Sequence, residues 1–386
     1  MKLPGAAFMR ERSAVRAFEE QDASFRQLVF YSEGGSDWPH LGPVILELLA
    51  RHDRPISYLT SDPADPGLAI ADPRFRAFQI GSGTARTILF ARMDCRHFVM
   101  TLPDLGNLWL KRSVRPVHYI YLFHSMNSTH TSYRTGAFDQ FDTILCVGPH
   151  HVNEIRATES AYELPAKELV EHGSAKLDGL LAEIGERGAT QRQVDGAPTV
   201  LVAPTWGDSS FIEGPIGFEV VRALLAGGFR TTVRLHPMTS RRLPELRDGL
   251  RREFASSPLF SLEEDMSATE SWLASDVMIS DWSGAATEYA FALGRPVVYV
   301  DTSPKLMNPD WDRIGLDSFE SMIRSLIGRV VAPEAIDELA PTVREVTADT
   351  NSVRASALEA RDRMIFNVGA SSAAAAAYLV SFESSG

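Results

Sequence analysis

SDVMISDWSGAATEYAFALGRPVVYVD, residues 275–301, holds three structural signals in succession. A short apolar run, Val277–Ser280, is followed by a tight polar turn, Asp281–Gly284. A helical stretch, Ala285–Leu293, leads through Gly294 into a second apolar run, Pro296–Val300. Strands of a parallel sheet are buried on both faces and read as unbroken apolar runs, so two such runs around a helix predict a βαβ unit. The same alternation extends upstream, with strands predicted at Thr199–Ala203 and Thr231–Leu235 and helices at Gly217–Ala226 and Pro244–Phe254. The first half repeats it in Gln27–Ser32, Ile56–Thr60, Phe98–Thr101, His118–Phe123 and Thr143–Val147, with a helix over Gly42–His52.

Between the halves, Gly185–Pro198 (GERGATQRQVDGAP) is polar and lacks apolar periodicity, which reads as a linker. The expected organisation is therefore α/β, with two Rossmann-like, doubly wound domains facing a cleft. A helical lead-in covers 1–25, a first domain 26–185, the linker 186–198, a second domain 199–353, and C-terminal helices crossing back 354–386. Ligands of such sheets bind beyond the carboxyl ends of the strands.

Composition narrows the function. The 386 residues suit two domains, and 44% apolar with 23% charged residues is ordinary for a globular protein. With 38 Lys+Arg against 50 Asp+Glu the net charge is −12, the wrong sign for a general nucleic-acid binder. Cys95 and Cys146 offer no disulfide framework, in keeping with a reducing, cytoplasmic setting. The first residues lack the apolar core of a secretory signal and read as a helix, with peripheral attachment at the inner face of the plasma membrane as the alternative. Met364–Phe382 has no charged residue but is rich in Ala and Ser, so it is expected to pack on the protein rather than span a bilayer.

Four segments carry candidate chemistry. In the first, Ser283 is placed to cap the helix that follows. Gly284 lets a ligand approach the first-turn amides, which with the helix dipole suit a diphosphate. Asp281 and, one turn on, Glu288 belong to the same candidate donor site. In VRLHP, Val233–Pro237, Arg234 and His236 end a strand, where an imidazole N–H can serve a phosphate or leaving group. Pro237 is expected to hold His236 in a loop. His124 ends the strand His118–Phe123, and histidine suits the removal of a hydroxyl proton near neutral pH. A metal site among His124, His130, His150 and His151 is disfavoured, because no carboxylate or cysteine joins them at ligand spacing. VLVAPTWG, Val200–Gly207, puts Thr205 and Trp206 at another strand end. Residues 222–252 concentrate eight arginines, at 222, 230, 234, 241, 242, 247, 251 and 252, a strip that would draw polyanions. No GxGxxG, GxxxxGK[ST] or GxSxG motif is present.

These segments resemble the CDP-glycerol glycerophosphotransferase family, whose members build teichoic-acid-type and capsule polymers. The resemblance runs from Val29–Gly67 through His118–Gly148, HGSAKLD (His172–Asp178), VLVAPTWG and VRLHP to ISDWSGAATEYAFALGRPVVYVD. It departs at Gly207 and Ala175, where many members carry arginine and proline. The resemblance implies a GT-B-like fold and transfer of glycerol phosphate from CDP-glycerol to a saccharide or polyol-phosphate hydroxyl, the acceptor being free or lipid-linked. It makes His124 the general base and gives His236 to the phosphate and CMP leaving group. Asp281, Ser283 and Gly284 fall to the donor diphosphate, and Thr205 and Trp206 to the nucleotide, with no further cofactor and no metal required. The rival readings are a UDP-sugar transferase or sugar-nucleotide 2-epimerase on the same fold, and a non-catalytic nucleotide-binding protein.

Overall fold

A computed structural model describes residues 4–107, 109–187, 197–263 and 269–382. Most of the predicted linker, 188–196, lies outside the described residues. The chain divides into two compact units. The first comprises 1–126, 133–179 and 365–386; the second comprises 127–132 and 180–364.

The first unit is built on a seven-stranded parallel sheet. Its strands are β1 (Leu28–Ser32), β2 (Ile56–Thr60), β3 (Phe75–Gln79), β4 (His97–Met100), β5 (His118–Leu122), β6 (Thr143–Cys146) and β7 (Glu168–Glu171), in the order β3-β2-β1-β4-β5-β6-β7. The strand order reverses between β1 and β4, the doubly wound pattern. Leu28, Phe30, Val99, Ile120 and Leu145 pack under the helix Trp38–Arg51. That helix buries Leu41, Val44, Ile45 and Leu48, an apolar stripe at helical spacing. Ala375, Ala376 and Leu379 of the helix Ser371–Ser381 join the same core, so the chain end does return to the first unit. The small side chains predicted to pack there do so. They form one helix only from Ser371, because Asn367 and Gly369 take positive φ (47° and 80°) and break the run begun by the helix Thr350–Met364.

The returning segment is clasped by HGSAKLD. Asp178 accepts the backbone N–H groups of Gly369 and Ser371, both at 2.7 Å. His172 Nδ1 donates to the Ser371 carbonyl at 3.0 Å, and the Ser174 N–H donates to Ser371 Oγ at 2.9 Å. Gly173 sits at φ 97°, with the Phe366 carbonyl oxygen so close that a Cβ would collide with it.

The second unit has six parallel strands. These are β8 (Thr199–Val202), β9 (Arg230–Arg234), β10 (Phe260–Glu263), β11 (Val277–Ser280), β12 (Val297–Val300) and β13 (Gly328–Val331), in the order β10-β9-β8-β11-β12-β13. Its core joins Val200, Val202, Val233, Ile279 and Val298 to Val220, Val221 and Leu224 of the helix Gly217–Ala226. The helix Thr350–Met364 also belongs here, and Arg354 and Arg361 donate to the carbonyls of Leu293 and Phe291. The register pairs Val202 with both Val233 and Ile279. Thr205, His236 and Trp282 therefore each stand three residues past a paired position, at one carboxyl edge.

No helix among the described residues is long and apolar enough to cross a membrane. Cys95 and Cys146 are buried free thiols.

Candidate active site

In the first unit, His124 follows β5 at the carboxyl edge, beside Thr101 at the end of β4. Its Nδ1 is 3.0 Å from the Thr101 carbonyl oxygen. A carbonyl only accepts, so Nδ1 carries the proton and Nε2 keeps the free lone pair. The Tyr121 hydroxyl lies 3.2 Å from Nδ1, and the rings of His40 and Tyr133 each lie 6.1 Å from the imidazole. Burial lowers the His124 pKa, while Asp37 and the Thr101 bond oppose that effect. The result is a neutral imidazole whose Nε2 lone pair can accept a proton.

The polar loop that follows His124 does not stay with the first unit. Residues 127–132 are part of the second unit, which they enter through a dense set of bonds. Ser128 Oγ accepts from the Phe319 N–H at 2.6 Å, Asn308 Nδ2 donates to the His130 carbonyl, and the Met307 N–H donates to the Thr131 carbonyl. Asn127 reaches Gly284, where a Cβ would stand 3.1 Å from Asn127 Oδ1. His130 and His150 instead bond the Leu316 and Met126 carbonyls, and no cluster of three potential metal ligands occurs among the described residues.

In the second unit, His236 stands in the loop ahead of a helix, as expected, and serves as that helix's N-cap. Pro237 occupies the first position of a short helix, Pro237–Arg242, where its missing N–H costs nothing. The Met238 N–H donates to His236 Nδ1 at 3.1 Å. Nδ1 is thus the acceptor, and Nε2 carries the proton, the opposite tautomer to His124. Burial, with help from the Lys305 ammonium, pushes the His236 pKa down to about 4. At neutral pH it is an uncharged N–H donor.

Ser283 takes the N-cap position of the helix Gly284–Leu293 with φ −80° and ψ 131°, but its hydroxyl makes no capping bond. Glu288 lies half-buried one turn further on. Asp281, in the same turn, anchors a neighbouring loop. Its fully buried carboxylate accepts the N–H groups of Thr205 at 2.7 Å and Phe211 at 3.2 Å, and so shapes the loop after β8. Burial pushes its pKa up to about 7 against those bonds. Trp282 lies over the buried Arg324, 4.2 Å from ring centroid to guanidinium, and donates to the Thr302 carbonyl.

Thr205 and Trp206 meet two cations that sequence reasoning did not assign to this site. Lys305 Nζ donates to Thr205 Oγ1 at 3.0 Å and lies 4.2 Å from the Trp206 ring centroid. The Arg242 guanidinium lies 5.5 Å from the same ring and His236 6.0 Å. Arg242 is thereby tied to this group rather than to the diffuse basic strip, much of which is spent in pairs: Arg222 with Glu253, and Arg247 and Arg251 with Asp248. Arg234 is committed elsewhere. It pairs with Glu263 on β10 at 3.4 Å and lies over the Trp272 ring.

Residues 125–313 match the family model of CDP-glycerol:poly(glycerophosphate) glycerophosphotransferase. The match covers just under half the chain, begins one residue after His124, and includes Thr205, Trp206, His236, Asp281, Ser283, Gly284 and Lys305. The solved structure of a variant of the wall teichoic acid polymerase TagF is similar at a TM-score of 0.60 and 15% identity, covering 98% of this chain and 95% of that one. UDP-GlcNAc 2-epimerase from Neisseria meningitidis, bound to UDP-GlcNAc, gives 0.59 at 13% identity, over 92% and 99%. A putative UDP-N-acetylglucosamine 2-epimerase from Listeria monocytogenes gives 0.58 at 12%, over 93% and 96%. Identities this low speak to the fold, which is GT-B-like. No curated protein matches the chain in sequence.

Proposed function

We propose that this glycerophosphotransferase-family enzyme moves glycerol phosphate, or a related polyol phosphate, from a CDP-activated donor to a hydroxyl of a saccharide or polyol-phosphate acceptor. The observation that carries the reading is the opposed tautomers of His124 and His236, each at the carboxyl edge of its sheet. Transfer to a hydroxyl needs one group that takes a proton and another that offers a hydrogen bond without charge chemistry of its own.

The acceptor oxygen bonds to the donor's β-phosphorus in line as the bond from that phosphorus to the bridging oxygen breaks. The electron pair of the broken bond stays on the bridging oxygen, which leaves as CMP. The acceptor's proton goes to His124 Nε2. His236 Nε2–H hydrogen-bonds the donor phosphate, and the Ser283–Gly284 turn presents helix amides to the diphosphate. Positioning and charge stabilisation supply most of the acceleration in phosphoryl transfer.

We further propose peripheral membrane contact in the service of teichoic-acid or capsule assembly. It would run through a groove of about 730 Å³ where Phe8, Met9 and Ile88 lie beside Arg12, Arg16 and Arg92. Phe8 and Met9 are 43% and 65% exposed, apolar surface of the kind that an interfacial helix buries in a bilayer. The deciding experiment measures acceptor-dependent CMP release from CDP-glycerol, with and without anionic lipid vesicles. Turnover of UDP-GlcNAc with none of CDP-glycerol would overturn the donor assignment, and failure to sediment with vesicles would remove the membrane contact.

A further inference from the structure

The second unit holds an ammonium group with no carboxylate at ion-pair distance among the described residues. Lys305 follows β12, is half-buried, and finds one hydroxyl and one aromatic face. Asp281 and Glu213 act on it from further off, and burial outweighs both, so its pKa is lowered. Asp281, with its own pKa pushed up to about 7, carries less than a full negative charge at neutral pH. Arg242, exposed and likewise without an ion-pair partner among the described residues, adds a second cation across the same indole.

Desolvating a cation without pairing it is costly, and a protein tolerates the cost where an anion is due to arrive. The mounting is rigid. Thr205 is fixed through its N–H to Asp281 and through its carbonyl to the Ser210 hydroxyl at 2.8 Å. Trp206 then serves as a wall. With Lys305 4.2 Å from its ring, the indole helps to aim the ammonium.

We propose that Lys305 binds the diphosphate of a nucleoside-diphosphate donor, with Arg242 as the second cation and Trp206 and Thr205 as positioning residues. The proposal rests on the donor reading above. Lys305 makes and breaks no covalent bond. It offsets the negative charge that the departing nucleoside monophosphate gains when it keeps the bridging oxygen's electron pair.

The test is calorimetry with CDP and with UDP on the wild-type chain, Lys305→Met and Lys305→Arg, with thermal unfolding recorded for each. Charge-assisted hydrogen bonds of this kind predict a 10–100-fold loss of diphosphate affinity in Lys305→Met, an unchanged melting temperature, and recovery of most of the affinity in Lys305→Arg. A loss under threefold in Lys305→Met overturns the proposal. So does an equal loss in Lys305→Arg, since the charge would then not be the cause. If the wild type binds UDP and not CDP, the CDP assignment falls and the lysine is judged on UDP. If it binds neither, both readings fall.

Discussion

His236 holds two positions at once, and two substitutions separate them. Its Nδ1 accepts the Met238 N–H at 3.1 Å and so caps the helix Pro237–Arg242, which leaves the proton on Nε2. Asparagine is among the best N-cap residues and its Oδ1 accepts the same N–H, so His236→Asn keeps the cap. His236→Ala leaves that N–H without its acceptor, a loss of about 1 kcal/mol, which in a unit of this size lowers the melting temperature by roughly 2–4 °C. Neither residue places a donor where Nε2–H stands. Removing one preorganised donor from a developing charge costs about 10²–10³ in kcat, or about 2.7–4 kcal/mol. His236→Asn is therefore expected to melt with the wild type and turn over 10²–10³-fold more slowly; His236→Ala should show both defects. CMP release measures the first quantity and a thermal scan the second. Wild-type turnover in His236→Asn would falsify the donor role and leave His236 as a cap.

Two further outcomes follow from the first unit. The His124 pKa is lowered from 6.5, and only the neutral imidazole takes a proton, so kcat/KM should fall with decreasing pH through an apparent pKa below 6.5. His124→Ala should abolish that limb and cost roughly 10²–10⁴ in turnover, whereas a limb centred above pH 7 would assign it to another group. Asp178→Ala removes the acceptor of two backbone N–H groups at 2.7 Å and should destabilise the first unit by about 2–4 kcal/mol. The shift reads out as a lower urea midpoint and faster proteolysis near residues 365–370, and an unmoved midpoint would show that the clasp does not hold the chain end.

What the sequence discloses about the fold follows strand position. Every strand predicted from the sequence is interior: β1, β2, β4, β5 and β6 in one sheet, and β8, β9, β11 and β12 in the other. The four not predicted, FRAFQ, ELVE, FSLE and GRVV, are β3, β7, β10 and β13, the edges of the two sheets. An interior strand of a parallel sheet is covered on both faces and flanks, and β1 and β11 are buried at every position. An edge strand has an open flank and tolerates polar residues, which blunt it against unwanted pairing. Glu168–Glu171 has no fully buried residue, so its pattern is that of a loop.

The same blind spot shaped the reading of the site. Arg234 looks free in the sequence because its partner lies on β10, an edge strand that the pattern does not disclose. The register sets Arg234 opposite Glu263, and the pair forms from that pairing. The reverse holds for Lys305. PKLMN carries no motif, and nothing near it in the chain explains a lysine. Its meaning appears only once β11 is seated between β8 and β12, with Asp281 holding the loop that carries Thr205 and Trp206. Strand-end motifs such as VRLHP and SDWSG locate the backbone where ligands bind. Which side chain there is left uncompensated depends on the neighbouring strand, and in the second unit that test separates Lys305 from Arg234.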